Sequence, residues 1–310
     1  MNNKRLLNHI PNKTAIRGFS ILEFLVASLL SMIVLMAVSS TYFTARGLNK
    51  SANARIGIQQ DLRNAANMIV RDARMAGNFG CFNMSNSPAS AVIEDKSSDE
   101  YTLKTANNLL PIKEIELSYP GFTQKGKALL FQYGIDKADA AAKTAIVSSC
   151  SRIAKPQTKI KDLNTAKSAL NLNITDSDQD GSIAIMKHEM IAYAVGKLGE
   201  ESSLFRFQLS DDGSWSNPQL LIKGITTMDI HYIYAECPDS ENAPASGLNT
   251  ESFDYKNSLD ISAEAKSPAS IQIVLNNGSI DPSKEQDNKV DIYNINATIR
   301  GGNVCADRSL

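Results

Sequence analysis

From Phe19 to Val38 the only polar residues are Ser20, Glu23, Ser28 and Ser31. About 20 such residues at roughly 1.5 Å rise per residue make a helix of roughly 30 Å, the thickness of a bilayer core. Ahead of this run, residues 1–18 carry Lys4, Arg5, Lys13 and Arg17 and no acid. Cations before an apolar helix hold that end in the cytoplasm and send the rest of the chain across the membrane. Glu23 breaks the pattern. A carboxylate near the start of a spanning helix costs on the order of 2–3 kcal/mol on insertion scales, so it calls for a partner. A secretory signal would have a shorter apolar run, and Ala37-Val38-Ser39 would be its cut site. That reading, like a plain signal anchor, leaves Glu23 without a role.

A cut after Gly18 supplies the partner, because it frees the α-amino group of Phe19 one helical turn before Glu23. Amine and carboxylate are each costly in lipid and tolerable together, within one chain or between packed helices. At these residues, Gly18-Phe19-Ser20-Ile21-Leu22-Glu23 after a basic leader and before an apolar helix, the chain resembles type IV prepilins and pseudopilins. The resemblance implies cleavage after Gly18 by a membrane prepilin peptidase, N-methylation of Phe19 and an assembly role for Glu23. Ser40 stands where many major pilins carry a proline.

Residues 19 to about 76 contain no proline. Leu48, Ala52, Ile58, Leu62, Ala66, Ile69, Val70, Ala73 and Ala76 fall within roughly a third of a helical wheel, a stripe suited to packing under a sheet. Asp72 is assigned to the polar side. Gly47 and Gly57 weaken the helix, and Gly77 and Gly80 end it. Thus one helix is expected over 19–76, with 19–40 in the membrane. The rest, 77–310, is expected to be a β-rich head. Its strands are predicted at Tyr101–Lys104, Glu114–Leu117, Ala128–Tyr133, Ala145–Ser149, Met190–Val195, Leu204–Leu209, Leu220–Ile222, Met228–Tyr234, Ile271–Leu275 and Val290–Ile299. Residues 83–98, 152–175 and 238–257 read as loops. A long helix followed by antiparallel strands is an α+β architecture.

The order resembles the PilW-type minor pilins and, more distantly, the J-type minor pseudopilins of type II secretion. The likeness rests on Asp72-Ala73-Arg74-Met75-Ala76-Gly77-Asn78-Phe79-Gly80-Cys81, Val147-Ser148-Ser149-Cys150, Ser203-Leu204-Phe205-Arg206, Leu221-Ile222-Lys223-Gly224-Ile225 and Ala297-Thr298-Ile299-Arg300. It implies a pilin-like fold and a place in a minor-pilin complex that starts the pilus and sits at its tip. The partners would be other minor pilins, the major pilin and a tip adhesin.

Apolar residues make up 43% and charged residues 21% of the 310, as in a folded protein. The formal net charge is −1, and the portion after the basic leader is more acidic still, which speaks against general nucleic-acid binding. Arg152, Lys155, Lys159, Lys161 and Lys167 form a basic run without aromatic residues, read as a solvated loop.

Four cysteines, Cys81, Cys150, Cys237 and Cys305, suggest two disulfides in an exported domain. Three pairings are open. Cys81–Cys150 with Cys237–Cys305 is favoured because each bond closes its own half of the chain. No Cys-x-x-Cys pair points to zinc or redox chemistry.

Asp176-Ser177-Asp178-Gln179-Asp180-Gly181 resembles the first half of a calcium loop, with Ile183 at the apolar position. Lys187 stands where a bidentate Glu belongs, and Glu189 is a late alternative ligand. Asp176, Asp178 and Asp180 are therefore the candidate calcium ligands, set against a solvated acidic turn. His188 is expected to be a structural strand-edge residue, and His231 to pair on the surface with Asp229. No Gly-x-Ser-x-Gly, phosphate loop, dinucleotide fingerprint or HExxH is present, and no catalytic residue or other cofactor is assigned. The functional reading is a minor pilin with an inner-membrane span, later in the fibre at the cell surface. Its alternatives are a J-type pseudopilin and a membrane-anchored periplasmic ligand- or calcium-binding module.

Overall fold

The structure is a computed structural model, describing residues 18–96, 101–105, 108–136, 144–156, 160–175, 180–236, 252–262, 265–278 and 292–300. The chain divides into two compact units at Gly57/Ile58. Helix α1, Ile21–Met75, runs through that boundary without a break.

In the first unit α1 is apolar on all sides from Phe24 to Val38, and its large apolar side chains from Ile21 to Phe43 are exposed. The helix begins with a Ser-x-x-Glu cap. The Glu23 Oε2 accepts from the Ser20 backbone N–H at 3.1 Å, and the Ser20 Oγ accepts from the Leu22 N–H at 3.3 Å. Leu48 and Ala52, assigned by their periodicity to a packed stripe, are exposed.

The second unit begins with the last turns of α1. Here Ala65, Ile69, Ala73 and Ala76 are fully buried. The helix stops at Gly77, whose φ of 77° favours glycine. A Cβ there would lie 2.9 Å from the Cβ of Pro111, so the helix end fits only against a residue without a side chain. A two-stranded hairpin comes next, β1 (Asn78–Phe79) with β2 (Phe82–Asn83).

The remaining elements in chain order are β3 (Val92–Asp95), β4 (Ile112–Ile115), β5 (Thr123–Asp136), β6 (Ala145–Ser148), β7 (Ile153–Lys155), α2 (Leu163–Ala169), β8 (Ala184–Lys197), β9 (Ser202–Leu209), β10 (Trp215–Lys223), β11 (Thr227–Glu236), β12 (Ser252–Lys256), β13 (Ser270–Asn276) and β14 (Ile292–Thr298). The α+β class is thus as expected. Strand β8 is the spine of an eight-stranded sheet ordered β10-β9-β8-β6-β7-β3, with β5 along the other side of β8 and β4 outside β5. Pairing is antiparallel except between β3 and β7. A second sheet, β12-β11-β13-β14, is antiparallel throughout.

One core joins all three layers. Ala65, Ile69 and Ala73 of α1 belong to the same buried cluster as Phe131, Ile191 and Tyr193 of the large sheet and Tyr232, Ile271 and Ile273 of the small one. Alternation sends Leu129, Phe131 and Tyr133 of β5, Ile191, Tyr193 and Val195 of β8, and Ile271, Ile273 and Leu275 of β13 to this cluster. The opposite face of the large sheet carries a separate aromatic cluster around Phe205, Phe207 and Trp215, roofed by Tyr119 and Phe122.

Several sequence expectations need correction. Tyr101–Lys104 is not a strand, although Leu103 is fully buried. The presumed loop 83–98 contains β3, the presumed loop 152–175 contains β7 and α2, and 238–257 contains β12. These elements are short and mix polar with apolar residues, so they carry too little periodicity to be read. Their structure comes from pairing: β7 lies between β6 and β3, and β12 completes the edge of β11. Helix α2 begins with a capping box, in which the Asp162 side chain accepts from Thr165 N–H at 2.8 Å.

Cys81 and Cys150 form a disulfide across 69 residues of sequence. It ties the hairpin after α1 to the end of β6. Cys237 and Cys305 lie outside the described residues. Cross-links of this kind contribute typically 2–4 kcal/mol by restricting the unfolded chain. Cys81→Ser/Cys150→Ser is therefore expected to lower the unfolding free energy by about that much. Denaturant titration of the detergent-solubilised chain measures it, and a loss under about 1 kcal/mol would show that the unfolded chain gains little freedom.

Candidate functional site

Three groups of residues are candidates for a functional role: the start of α1, its buried end, and the polar layer behind the large sheet.

At the start, Gly18 and Phe19 are exposed, with Phe19 at 78% of its full accessibility. Glu23 sits in the first turn as the one acidic residue there. The apolar stretch of the helix is wholly unburied, and the helix is long and apolar enough to cross a membrane. The contact to the Ser20 N–H places the Glu23 carboxylate at the mouth of the helix, one residue from the Phe19 backbone. A carboxylate there also meets the positive end of the helix dipole. This capping geometry is legible as Ser-x-x-Glu, although the sequence expectation gives Glu23 only an ion-pairing role.

At the other end of α1, Asp72 is fully buried, against its assignment to the polar side. At 100° per residue it lies about 60° from Ile69, the middle of the buried stripe. Its Oδ2 accepts from Tyr193 Oη at 2.7 Å and from Arg206 Nε at 3.4 Å, and its Oδ1 accepts from Tyr133 Oη at 3.2 Å and Arg71 Nη2 at 3.1 Å. Tyr133, Tyr193 and Arg206 come from β5, β8 and β9, so one carboxylate fastens the helix to three strands. Arg71 is largely exposed and adds little, whereas Arg206 is mostly covered. Burial, followed by the charge of Asp72, pushes both tyrosine hydroxyls above the usual phenol range. They remain protonated donors at any physiological pH.

Behind the large sheet lies a buried polar layer. His188 is on the central strand β8, not at a sheet edge, and its Nε2 lies 3.1 Å from Gln132 Oε1. Burial, then the charges of Lys155 and Lys113, hold its pKa well below the ordinary value. Lys155 donates to the Tyr101 carbonyl at 2.6 Å, and Lys113 donates to the Thr102 and Lys104 carbonyls. The two amines hold segment 101–104 against the sheet. Burial lowers Lys113 to about 7 and Lys155 to about 8.

These shifts set a direction. The unfolded lysines keep their protons to about pH 10.4, while the folded ones release them from about pH 7 upward. The unfolded state therefore binds more protons in this window, and stability rises with pH across it. The melting temperature is expected to be higher at pH 9 than at pH 6.5. Lys113→Met should flatten that slope, and an equal slope in both proteins would contradict the assignment.

The basic run is not the solvated loop expected. Lys155 and Lys167 are buried, and Arg152 Nη1 donates to the Leu170 and Asn171 carbonyls at 3.1 and 2.9 Å. Lys159 lies outside the described residues. Among the described residues, Arg152, Lys155 and Lys167 meet backbone carbonyls and Lys167 also pairs with Asp180, whereas Lys161 is exposed.

That pair bears on the acidic loop. Asp176 and Asp178 lie outside the described residues, and the described Asp180 faces Lys167. The late ligand considered, Glu189, is buried among Gln208, Lys187 and the Tyr133 pairing partner on β5. Lys187 in turn pairs with Asp211. Among the described residues no group of three or more His, Cys, Asp or Glu side chains is placed to hold a metal ion. His231 does not pair with Asp229: its Nδ1 lies 2.8 Å from the Asn257 Oδ1.

No family model matches the chain, and no curated protein matches it. Among the described residues the chain carries one candidate membrane-spanning helix, near its N-terminus, and a β-rich unit.

Proposed function

We propose that this protein is a minor pilin of the PilW type, cut after Gly18 and methylated on Phe19 by a prepilin peptidase. It would join other minor pilins in an inner-membrane complex that primes the pilus and remains at the tip, next to the major pilin or an adhesin. The observation that carries the reading is the unpaired helix surface at 21–43. Its large apolar side chains are exposed from Ile21 to Phe43, and it opens with Glu23 one turn after Phe19. A single span needs no carboxylate, whereas a bundle of helices whose new amines require counter-charges does. The Ser20–Glu23 contact supports this, because it keeps the carboxylate beside the chain position where the amine would arise. A J-type pseudopilin would use the same start of α1, and loss of enzyme export with intact twitching motility would mark it. A calcium- or ligand-binding module finds less support, since Asp180 faces a lysine.

The test is the N-terminus itself. N-terminal mass spectrometry of the native protein should find a methylated phenylalanine, residue 19, as the first residue. Gly18→Val should leave the full-length chain uncut. A native protein that starts at Met1, or beyond Ser39, would overturn the reading.

A further inference from the structure

Among the described residues the two large sheets end in five free strand sides, and four of them are guarded against pairing with another chain. Strand β10 contains Pro218 and two register shifts against β9. Strand β3 has four residues, ending in Glu94 and Asp95, with a shift against β7. Strand β4 also has four residues, including Lys113 and Glu114. Strand β12 carries Asp254 and Lys256, and the stretch of β11 that it leaves uncovered carries Asp229 and His231. Short length, bulges, proline and charge are the devices by which proteins blunt exposed edges.

Strand β14 has none of them. Its sequence, Ile292-Tyr293-Asn294-Ile295-Asn296-Ala297-Thr298, holds no charge, proline or glycine. It pairs with β13 at all seven positions without a shift, so it is a regular strand. Among the described residues no strand lies on its other side. Its faces alternate: Ile295 and Ala297 reach the core, while Ile292, Asn294, Asn296 and Thr298 are exposed.

We propose that β14 is the docking edge for a second copy of this chain, by antiparallel pairing of β14 with β14 about a two-fold axis through Ile295. A two-fold contact sets each residue against its mirror position, so it suits only a strand that complements itself. This one does. Ile295 meets Ile295 of the partner subunit on the core side, and Asn294 meets Asn296 of the partner subunit on the exposed side. Each amide is both donor and acceptor, so the two can satisfy each other. No like charges oppose. The same operation on β12 would set Asp254 against Asp254 of the partner subunit, a repulsive pair. The two four-stranded sheets would then run on as one of eight strands, with main-chain hydrogen bonds supplying the affinity. The inference does not depend on how the N-terminal helix is processed or assembled.

The full chain in detergent tests it. Sedimentation velocity over a hundredfold concentration range should show a monomer–dimer equilibrium. Asn294→Lys/Asn296→Lys changes two exposed positions, should keep the melting temperature, and should weaken the dimer at least tenfold by opposing four cations. Under mild oxidation Asn294→Cys/Asn296→Cys should give a covalent dimer that the wild-type chain, with its native cysteines, does not. A wild-type chain that stays monomeric throughout, as it would if another segment of its own covered β14, overturns the proposal. So does a dimer that the lysine variant leaves unchanged, because association would then lie elsewhere, the apolar helix included.

Discussion

Asp72→Ala is expected to lower the stability of the β-rich unit by about 3–5 kcal/mol, the usual range for removing one partner of a buried charged pair. The substitution deletes few apolar contacts. Its cost arises from the groups left behind: the Arg206 guanidinium loses its counter-charge, and the hydroxyls of Tyr133 and Tyr193 lose their acceptor in a dry environment. For a unit of this size the melting temperature should fall by roughly 6–20 °C. Asp72→Asn keeps the shape and one acceptor oxygen, so its loss should be smaller. Thermal unfolding of the detergent-solubilised chain, followed by near-ultraviolet circular dichroism, reports on tyrosine packing directly. Wild-type stability in Asp72→Ala would mean that water replaces the carboxylate and that the helix is held by its apolar stripe alone.

Glu23→Leu should leave membrane insertion intact, or improve it, and yet remove the protein from assembled fibres. Replacing the acid with leucine relieves the insertion cost, so a defect in assembly would arise from the lost charge and not from failed targeting. Polar contacts between membrane helices are worth about 1–2 kcal/mol, so recruitment should fall roughly 5- to 30-fold. Quantitative immunoblotting of sheared fibres against whole membranes measures it. Glu23 also caps α1, and losing a cap costs on the order of 1 kcal/mol of helix stability. Ser20→Ala separates the two roles, because it removes a capping oxygen and keeps the charge. Equal defects in both variants would assign Glu23 to capping, and unaffected recruitment in Glu23→Leu would sink the bundle interpretation.

Both residues lie on one helix, and they differ in how far the sequence exposes them. Glu23 stands alone in an apolar run, and its environment is set by neighbours within one turn. Asp72 is no less visible in principle, since the helical wheel puts it near Ile69. Its burial escapes a sequence reading because an aspartate normally marks a solvated face, and its partners are 61, 121 and 134 residues away in sequence. The buried Lys155 and Lys167 show the same limit. The carbonyl partner of Lys155, Tyr101, lies 54 residues away in sequence, and even the nearby partner of Lys167, Ile174, is met only because the chain turns back after α2.

The sequence alone determined the long apolar-then-amphipathic helix, its stop at Gly77, and most of the longer strands, because each arises from local periodicity or from a backbone conformation that few residues tolerate. It also favoured Cys81–Cys150 among three open pairings, because that bond closes its own half of the chain, and the structure forms it. Only the tertiary structure decided which stretch of the helix stripe is buried, that Asp72 fastens it to three strands, and which sheet edge lacks a guard. Those outcomes depend on long-range pairing. A short strand such as β7, or a charge such as Asp72, takes its state from partners that pattern does not reveal, and burial is fixed only when the sheets close around the helix.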